Sequence, residues 1–277
     1  MKIELASSYG FCFGVKRAIK IAEEHQGSKT YGPLIHNKDE INRLKEGFNI
    51  GLAENLQDVT PDDSVVIRTH GIPKDELSKL KAQENKIIDA TCPYVTTPQN
   101  IVANMSEKGY SIVIFGDKDH PEIKGVVSYA KDLRNAFIVK DENELRGLPI
   151  LSKVAVVAQT TRKPEDFLKI VNALILSHKE VRVFNTICNA TFENQDAAAA
   201  LAKKADIMIV IGGKHSSNTK QLHSICKRYC EESYLIENER ELDPAWFEGK
   251  ALCGISAGAS TPDWIVQNVI DKIEELK

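Results

Sequence analysis

Three cysteines of this chain lie in matching surroundings: Cys12 in KIELASSYGFCFG, Cys92 in NKIIDATCPYV and Cys188 in VRVFNTICNAT. Each follows a short strand-forming run, the pattern of a buried strand end. Cys12 is also framed by two phenylalanines and two glycines in YGFCFGVKRAI. A packing thiol needs no such frame, whereas glycines let the backbone turn beside a bulky ligated group and phenylalanines shield it. Polar clusters recur with the cysteines. Gly32 and His36, Gly116 and His120, and Gly213 and Ser217 are each four residues apart and follow their cysteine at similar intervals. Upstream, His70 in VVIRTHGIPKDEL, Thr160 in VAVVAQTTRKPEDFL and Ser260 in LCGISAGASTPDWIV each sit between an apolar run and a proline that opens a helical pattern.

Those runs must be positioned by a fold. Short Val- and Ile-rich segments alternate with helical ones such as PEDFLKIVNALILSH and PDWIVQNVIDKIEEL. This predicts an α/β protein with parallel sheets, in which ligands bind beyond the carboxyl ends of the strands. The repeat appears twice in full and begins a third time near the C-terminus, where the chain stops before its cysteine. The N-terminal segment ending at Cys12 supplies the missing piece. The expected architecture is therefore three pseudo-threefold-related α/β lobes around a central metal or iron–sulfur site. Lobe 1 covers 14–92, lobe 2 covers 93–185, and lobe 3 covers 186–277, completed by the N-terminal strand of 1–13.

Three thiolates suit zinc with an open fourth position, or an iron–sulfur cluster with one iron not ligated by protein. No C-x-x-C pair is present, which argues against a zinc ribbon or a ferredoxin-type loop. Anchors drawn from three lobes favour the bulkier cluster, and soft thiolates suit it. His36, His70, Ser216, Ser217, Asn218 and Ser260 are compact hydrogen-bond donors on strand-end loops, several of them ahead of helices. Such a set suits an anion, because a buried phosphate needs many donors. His120-Pro121-Glu122 is a stiff loop, and a carboxyl group there, buried and raised in pKa, would serve as a proton donor. Cys226, Cys230 and Cys253 fall outside the repeat and read as packing thiols, His25 and His178 read as surface residues, and His215 and His223 stay unassigned. An anion-binding iron–sulfur sensor and a three-cysteine zinc hydrolase remain open on these grounds.

Bulk properties narrow the class. The chain has 277 residues with a net charge of −3, so no overwhelmingly basic face exists for nucleic acid. No apolar run approaches the ~20 residues of a membrane helix, and the N-terminus lacks a secretion signal. The expectation is a cytoplasmic protein whose cysteines are thiols or ligands.

GFCFGVKRA, LIHN, IRTHGIP, DATCP, GDKDHPEIKG, QTT, NTICNAT, SSNT and AGASTPDWIV, in this order along the whole chain, resemble the 4-hydroxy-3-methylbut-2-enyl diphosphate reductase (IspH/LytB) family. No family functional position departs from the pattern. The resemblance implies reductive removal of the C4 hydroxyl of 4-hydroxy-3-methylbut-2-enyl diphosphate, giving isopentenyl and dimethylallyl diphosphates in the last step of the methylerythritol phosphate pathway. It implies one [4Fe–4S] cluster on Cys12, Cys92 and Cys188 with an open apical iron. His36, His70, Ser216, Asn218 and Ser260 would hold the diphosphate, with Ser217 in the same loop. His120 would place the substrate, Glu122 deliver protons, Thr160 orient the hydroxyl, and Thr191 join that relay. A ferredoxin or flavodoxin would supply the electrons.

Overall fold

The computed structural model describes residues 1–35, 37–149 and 152–276, and for Ser217 the backbone only. His36 and the Ser217 side chain therefore lie outside the described residues. In chain order the strands are β1 (Lys2–Leu5), β2 (Lys29–Tyr31), β3 (Gly51–Ala53), β4 (Ser64–Ile67), β5 (Lys86–Asp89) and β6 (Ser111–Phe115). They continue with β7 (Ala136–Val139), β8 (Lys153–Ala158), β9 (Glu180–Val183), β10 (Ile207–Ile211), β11 (Ser233–Ile236) and β12 (Leu252–Ala257). The α-helices are α1 (Phe13–Glu24), α2 (Lys38–Phe48), α3 (Lys74–Ala82), α4 (Pro93–Glu107), α5 (Pro121–Val127), α6 (Pro164–Ser177), α7 (Ala190–Ala202), α8 (Ser217–Tyr229) and α9 (Asp263–Glu275).

The chain divides into two compact units. The first comprises Met1–Lys16, Ile35–Gly47 and Asn189–Lys277. Its sheet runs β1-β12-β10-β11, all parallel. β10 reads IMIVI and is buried along its whole length. Ile207, Ile209 and Ile211 pack with Ile265, Val269 and Ile273 of α9. Met208 and Val210 pack with Ala198 and Leu201 of α7 and Leu222 and Cys226 of α8. Alternate side chains point to opposite faces, so a strand covered by helices on both sides must be apolar throughout. β1 pairs with β12 in the register Ile3↔Cys253 and Leu5↔Ile255. The N-terminal strand thus completes the C-terminal sheet, as the truncated third repeat requires.

The second unit comprises Arg17–Leu34 and Phe48–Cys188. It holds two parallel sheets, β3-β2-β4-β5 and β7-β6-β8-β9. Three four-stranded parallel sheets with helical connections make the fold α/β, as expected. In each sheet the strand leading to a repeat cysteine (β1, β5 or β9) forms one edge, and its neighbour (β12, β4 or β8) carries the upstream polar cluster at its carboxyl end. The opposite edges, β3, β7 and β11, are short and partly exposed. β7 reads AFIV, apolar but only four residues long, whereas β3 reads GLA and β11 SYLI.

Among the described residues, no helix is long and apolar enough to cross a membrane.

Candidate functional site

The three cysteines occupy equivalent backbone positions. The amide of Cys12 donates to Ala259 O at 3.4 Å, that of Cys92 to Thr69 O at 3.0 Å, and that of Cys188 to Thr160 O at 2.7 Å. Each bond ties the cysteine to the loop that ends the neighbouring strand. Two residues earlier the pattern repeats: Gly10 N donates to Ala257 O at 3.0 Å and Ala90 N to Ile67 O at 3.1 Å. In the third copy the Thr186 hydroxyl meets Ala158 O at 2.5 Å. These bonds align Thr160 with Thr69 and Ala259, one residue ahead of His70 and Ser260. Thr160 is therefore not the counterpart of His70 and Ser260 that its place in the repeat suggests, but stands one position earlier. All three thiols are half-buried, whereas Cys226, Cys230 and Cys253 are buried. Burial pushes the Cys226 thiol up to about 12 and also raises Cys230, which keeps both protonated and suits the packing role.

The second unit carries the acid–base groups. His70 follows β4 on a turn that needs Gly71: its φ is +69°, and a Cβ there would stand 2.8 Å from Gln99 Nε2. The His70 and His120 rings meet edge to face, with centroids 5.5 Å apart. His120 caps α5, its Nδ1 accepting the Glu122 amide at 3.2 Å. With Nδ1 accepting, the proton of a neutral ring sits on Nε2. Glu122 is 1 % exposed. Its Oε1 accepts from the Thr160 amide at 2.8 Å and its Oε2 from the Thr160 hydroxyl at 2.7 Å. Burial raises the Glu122 carboxyl above its ordinary range, and the two Thr160 hydrogen bonds offset this only in part. α5 can approach the end of β6 closely because residue 116 is glycine; a Cβ there would lie 2.7 Å from Ile123 Cδ1.

The first unit carries the hydroxyl and amide donors. Ser216 caps α8, its Oγ accepting from Thr219 N at 3.3 Å. Asn218, in the first turn of α8, is partly exposed, as is Ser260 beyond β12. The two loops meet through Thr219, which is 2 % exposed. A Cβ added to Gly258 would collide with its Oγ1, and one on Gly212 would fall 2.8 Å from it. The Thr261 hydroxyl bonds Ile211 O at 3.1 Å, fastening the Ser260 loop to the end of β10. Thr191 is partly buried in the first turn of α7.

Several contributors were not legible as site residues. Gln159 Oε1 accepts Asp117 N at 3.0 Å and braces the loop before His120; its only signal was adjacency to Thr160. Asn194 is 4 % exposed, accepts from Ser8 Oγ at 2.6 Å and donates to Gly10 O at 3.3 Å, holding the turn before Cys12. His25 and His223 bond the carbonyls of Ile21 and Ser233 at 2.8 and 2.9 Å, which makes both structural.

Three thiols in equivalent frames, each just ahead of a helix start, fit an anionic metal cluster, since the positive end of a helix complements negative charge. Among the described residues, no three His, Cys, Asp or Glu side chains are gathered as one ion would require.

The family model described as LytB protein matches residues 3–274. The chain belongs to this family. It is 91 % identical over the full length of both proteins to the 4-hydroxy-3-methylbut-2-enyl diphosphate reductase of a Sulfurovum species. It is 63 % identical, again over both full lengths, to the enzyme of that name from a Nitratiruptor species. Among solved structures, one of (E)-4-hydroxy-3-methyl-but-2-enyl diphosphate reductase, described as the terminal enzyme of the non-mevalonate pathway, is similar with a TM-score of 0.81 and 43 % identity over 99 % of each chain. The Plasmodium falciparum reductase is similar with a TM-score of 0.82 and 27 % identity, covering 97 % of this chain and 86 % of that one.

Proposed function

We propose that this protein reduces 4-hydroxy-3-methylbut-2-enyl diphosphate to isopentenyl and dimethylallyl diphosphates, closing the methylerythritol phosphate route. Two electrons and two protons are consumed, and the allylic hydroxyl leaves as water. Full-length agreement with relatives of that name supports the reaction class. The observation that carries the chemistry is the buried Glu122 carboxyl clasped by both the amide and the hydroxyl of Thr160.

The family is one of iron–sulfur enzymes, and the ligands we assign are Cys12, Cys92 and Cys188 for a [4Fe–4S] cluster with one iron open to substrate. When bound, such a cluster supplies single electrons and a Lewis-acidic iron. The rest falls to the chain. A carboxyl kept protonated by burial is a proton source that a solvated glutamate is not. Glu122 gives its proton to the departing hydroxyl, and Thr160, held on the same carboxyl, relays and orients, with Thr191 joining the relay. His120, with its proton on Nε2, donates toward the substrate oxygen. His36, His70, Ser216, Ser217, Asn218 and Ser260 take the diphosphate as hydrogen-bond donors. Their hold fixes the allylic end and excludes water. We assign the repeats as lobes 14–92, 93–185 and 186–277 with 1–13, on the support of one strand order in three sheets. The expected setting is the cytoplasm, with a ferredoxin or flavodoxin as donor.

The test is anaerobic oxidation of a reduced viologen dye dependent on the allylic diphosphate. Oxidation only when that substrate is present, with both products formed, is the expected result. Dye oxidation that ignores the substrate would overturn the assignment.

A further inference from the structure

Glu40 is a buried carboxylate that the reaction does not use. It is 1 % exposed and sits in the first turn of α2, where Asn37 Oδ1 accepts its amide at 3.0 Å. A carboxylate withdrawn from water is costly unless paired and hydrogen-bonded, and Glu40 is both. Its Oε2 accepts from Arg43 Nε at 2.8 Å and its Oε1 from Arg43 Nη2 at 2.6 Å, a two-pronged pair that neutralises it. Its Oε2 also accepts the indole N–H of Trp264 at 2.7 Å. Trp264 is 224 residues away in sequence, in the first turn of α9, four residues beyond Ser260. Glu40 stands three residues beyond Asn37, at the start of the helix that follows the LIHN segment. All these residues belong to the first compact unit.

The geometry points to Glu40 as a positioning residue for diphosphate binding: its bond to Trp264 locks the start of α2 to the start of α9. It thereby sets the separation between the loop carrying Ser260 and Asn37, which accepts the Glu40 amide at the start of α2. This inference rests on the anion-binding role proposed for Ser260. Hydrogen bonds carry this link, so a lost bond lets the two helix starts drift. Arg43 removes the electrostatic objection, because a lone carboxylate beside a diphosphate site would repel its ligand. The arrangement also asks for a full carboxylate. A glutamine has one oxygen and cannot accept from both guanidinium nitrogens and the indole in the same way.

The test uses holoenzyme under anaerobic conditions, with inorganic pyrophosphate as calorimetric probe and the viologen assay beside it. Trp264→Phe removes the N–H while leaving the Glu40–Arg43 pair, so no buried charge is orphaned; Glu40→Gln is the second variant, in case the first does not fold. Expected is a loss of about tenfold in pyrophosphate affinity in each, a similar rise in KM, and kcat within about twofold of the parent, because the diphosphate is held alike in ground and transition states. The double variant should bind no more weakly than the worse single one, since both remove one tether. Parental affinity and KM in both variants overturn the proposal, whatever happens to the melting temperature, as does a parent protein that binds no pyrophosphate. Pyrophosphate binding that obeys these expectations without substrate-dependent dye oxidation counts against the reductase reading alone and supports the tether.

Discussion

Replacing Glu122 by glutamine removes one exchangeable proton and almost nothing else. The carboxyl is 1 % exposed and accepts from the Thr160 amide at 2.8 Å and hydroxyl at 2.7 Å. In Glu122→Gln the amide oxygen keeps the first bond, and the amide nitrogen donates to the Thr160 oxygen, whose hydroxyl rotates. Both contacts survive, so stability should change by less than about 1 kcal/mol near neutral pH. Turnover should fall by about 10²–10⁴, the usual worth of a positioned acid, which is roughly 2.7–5.4 kcal/mol of barrier. Iron content and pyrophosphate affinity should match the parent. The pH dependence supplies an independent arm. Burial raises the Glu122 pKa, so the parent holds the active protonated form below the raised folded value and loses rate as pH climbs through it. The same sign governs stability: the contribution of the protonated carboxyl is complete below the ordinary glutamate value and is lost as pH rises through the folded one. The glutamine variant lacks both dependences. Single-turnover reduction of the allylic diphosphate across pH, with thermal melts at the same pH values, measures each part. A variant that keeps a third or more of parental turnover with an unchanged pH profile would refute the proton-donor argument.

Thr160→Val removes the hydroxyl but keeps the amide bond to Glu122; turnover should drop about tenfold or more with binding of pyrophosphate intact, and parental kcat would contradict the relay. Cys92→Ser should purify without the cluster while Cys226→Ala keeps it, since only the former stands in the repeated frame; iron and sulfide analysis decides, and equal iron in both would break the repeat argument. Gly71→Ala forces a side chain into φ +69° and against Gln99; a cost of about 1–3 kcal/mol is expected, read as a lowered melting temperature, and an unchanged melt would show that the turn relaxes freely.

The sheet cores were open to reading because a strand covered on both faces must be apolar where it is buried, as IMIVI of β10 and the VAVVA of β8 are. The edge strands β3, β7 and β11 were not: GLA, AFIV and SYLI are three or four residues long, and the period of so short a run does not tell strand from helix. The half-repeat at the C-terminus declared its own missing strand, and β1 supplies it beside β12. Glu122 could be named as a candidate buried acid from its place beside His120, but its clasp by Thr160 could not, because Thr160 lies 38 residues away. The link from Glu40 to Trp264 left no local trace at all.

By itself, the sequence determined which thiols, imidazoles and hydroxyls were available, which of them repeat, and how the alternation of strands and helices sets them at strand ends. These follow from residue type and short-range period, which any contiguous stretch displays. Tertiary structure alone decided that the Glu122 carboxyl is desolvated and clasped by Thr160, that Thr160 aligns with Ala259 rather than Ser260, and that an indole reaches Glu40. Each of those depends on atoms brought together from distant parts of the chain. Desolvation and hydrogen-bond partnership are properties of such an enclosure, which no single segment contains.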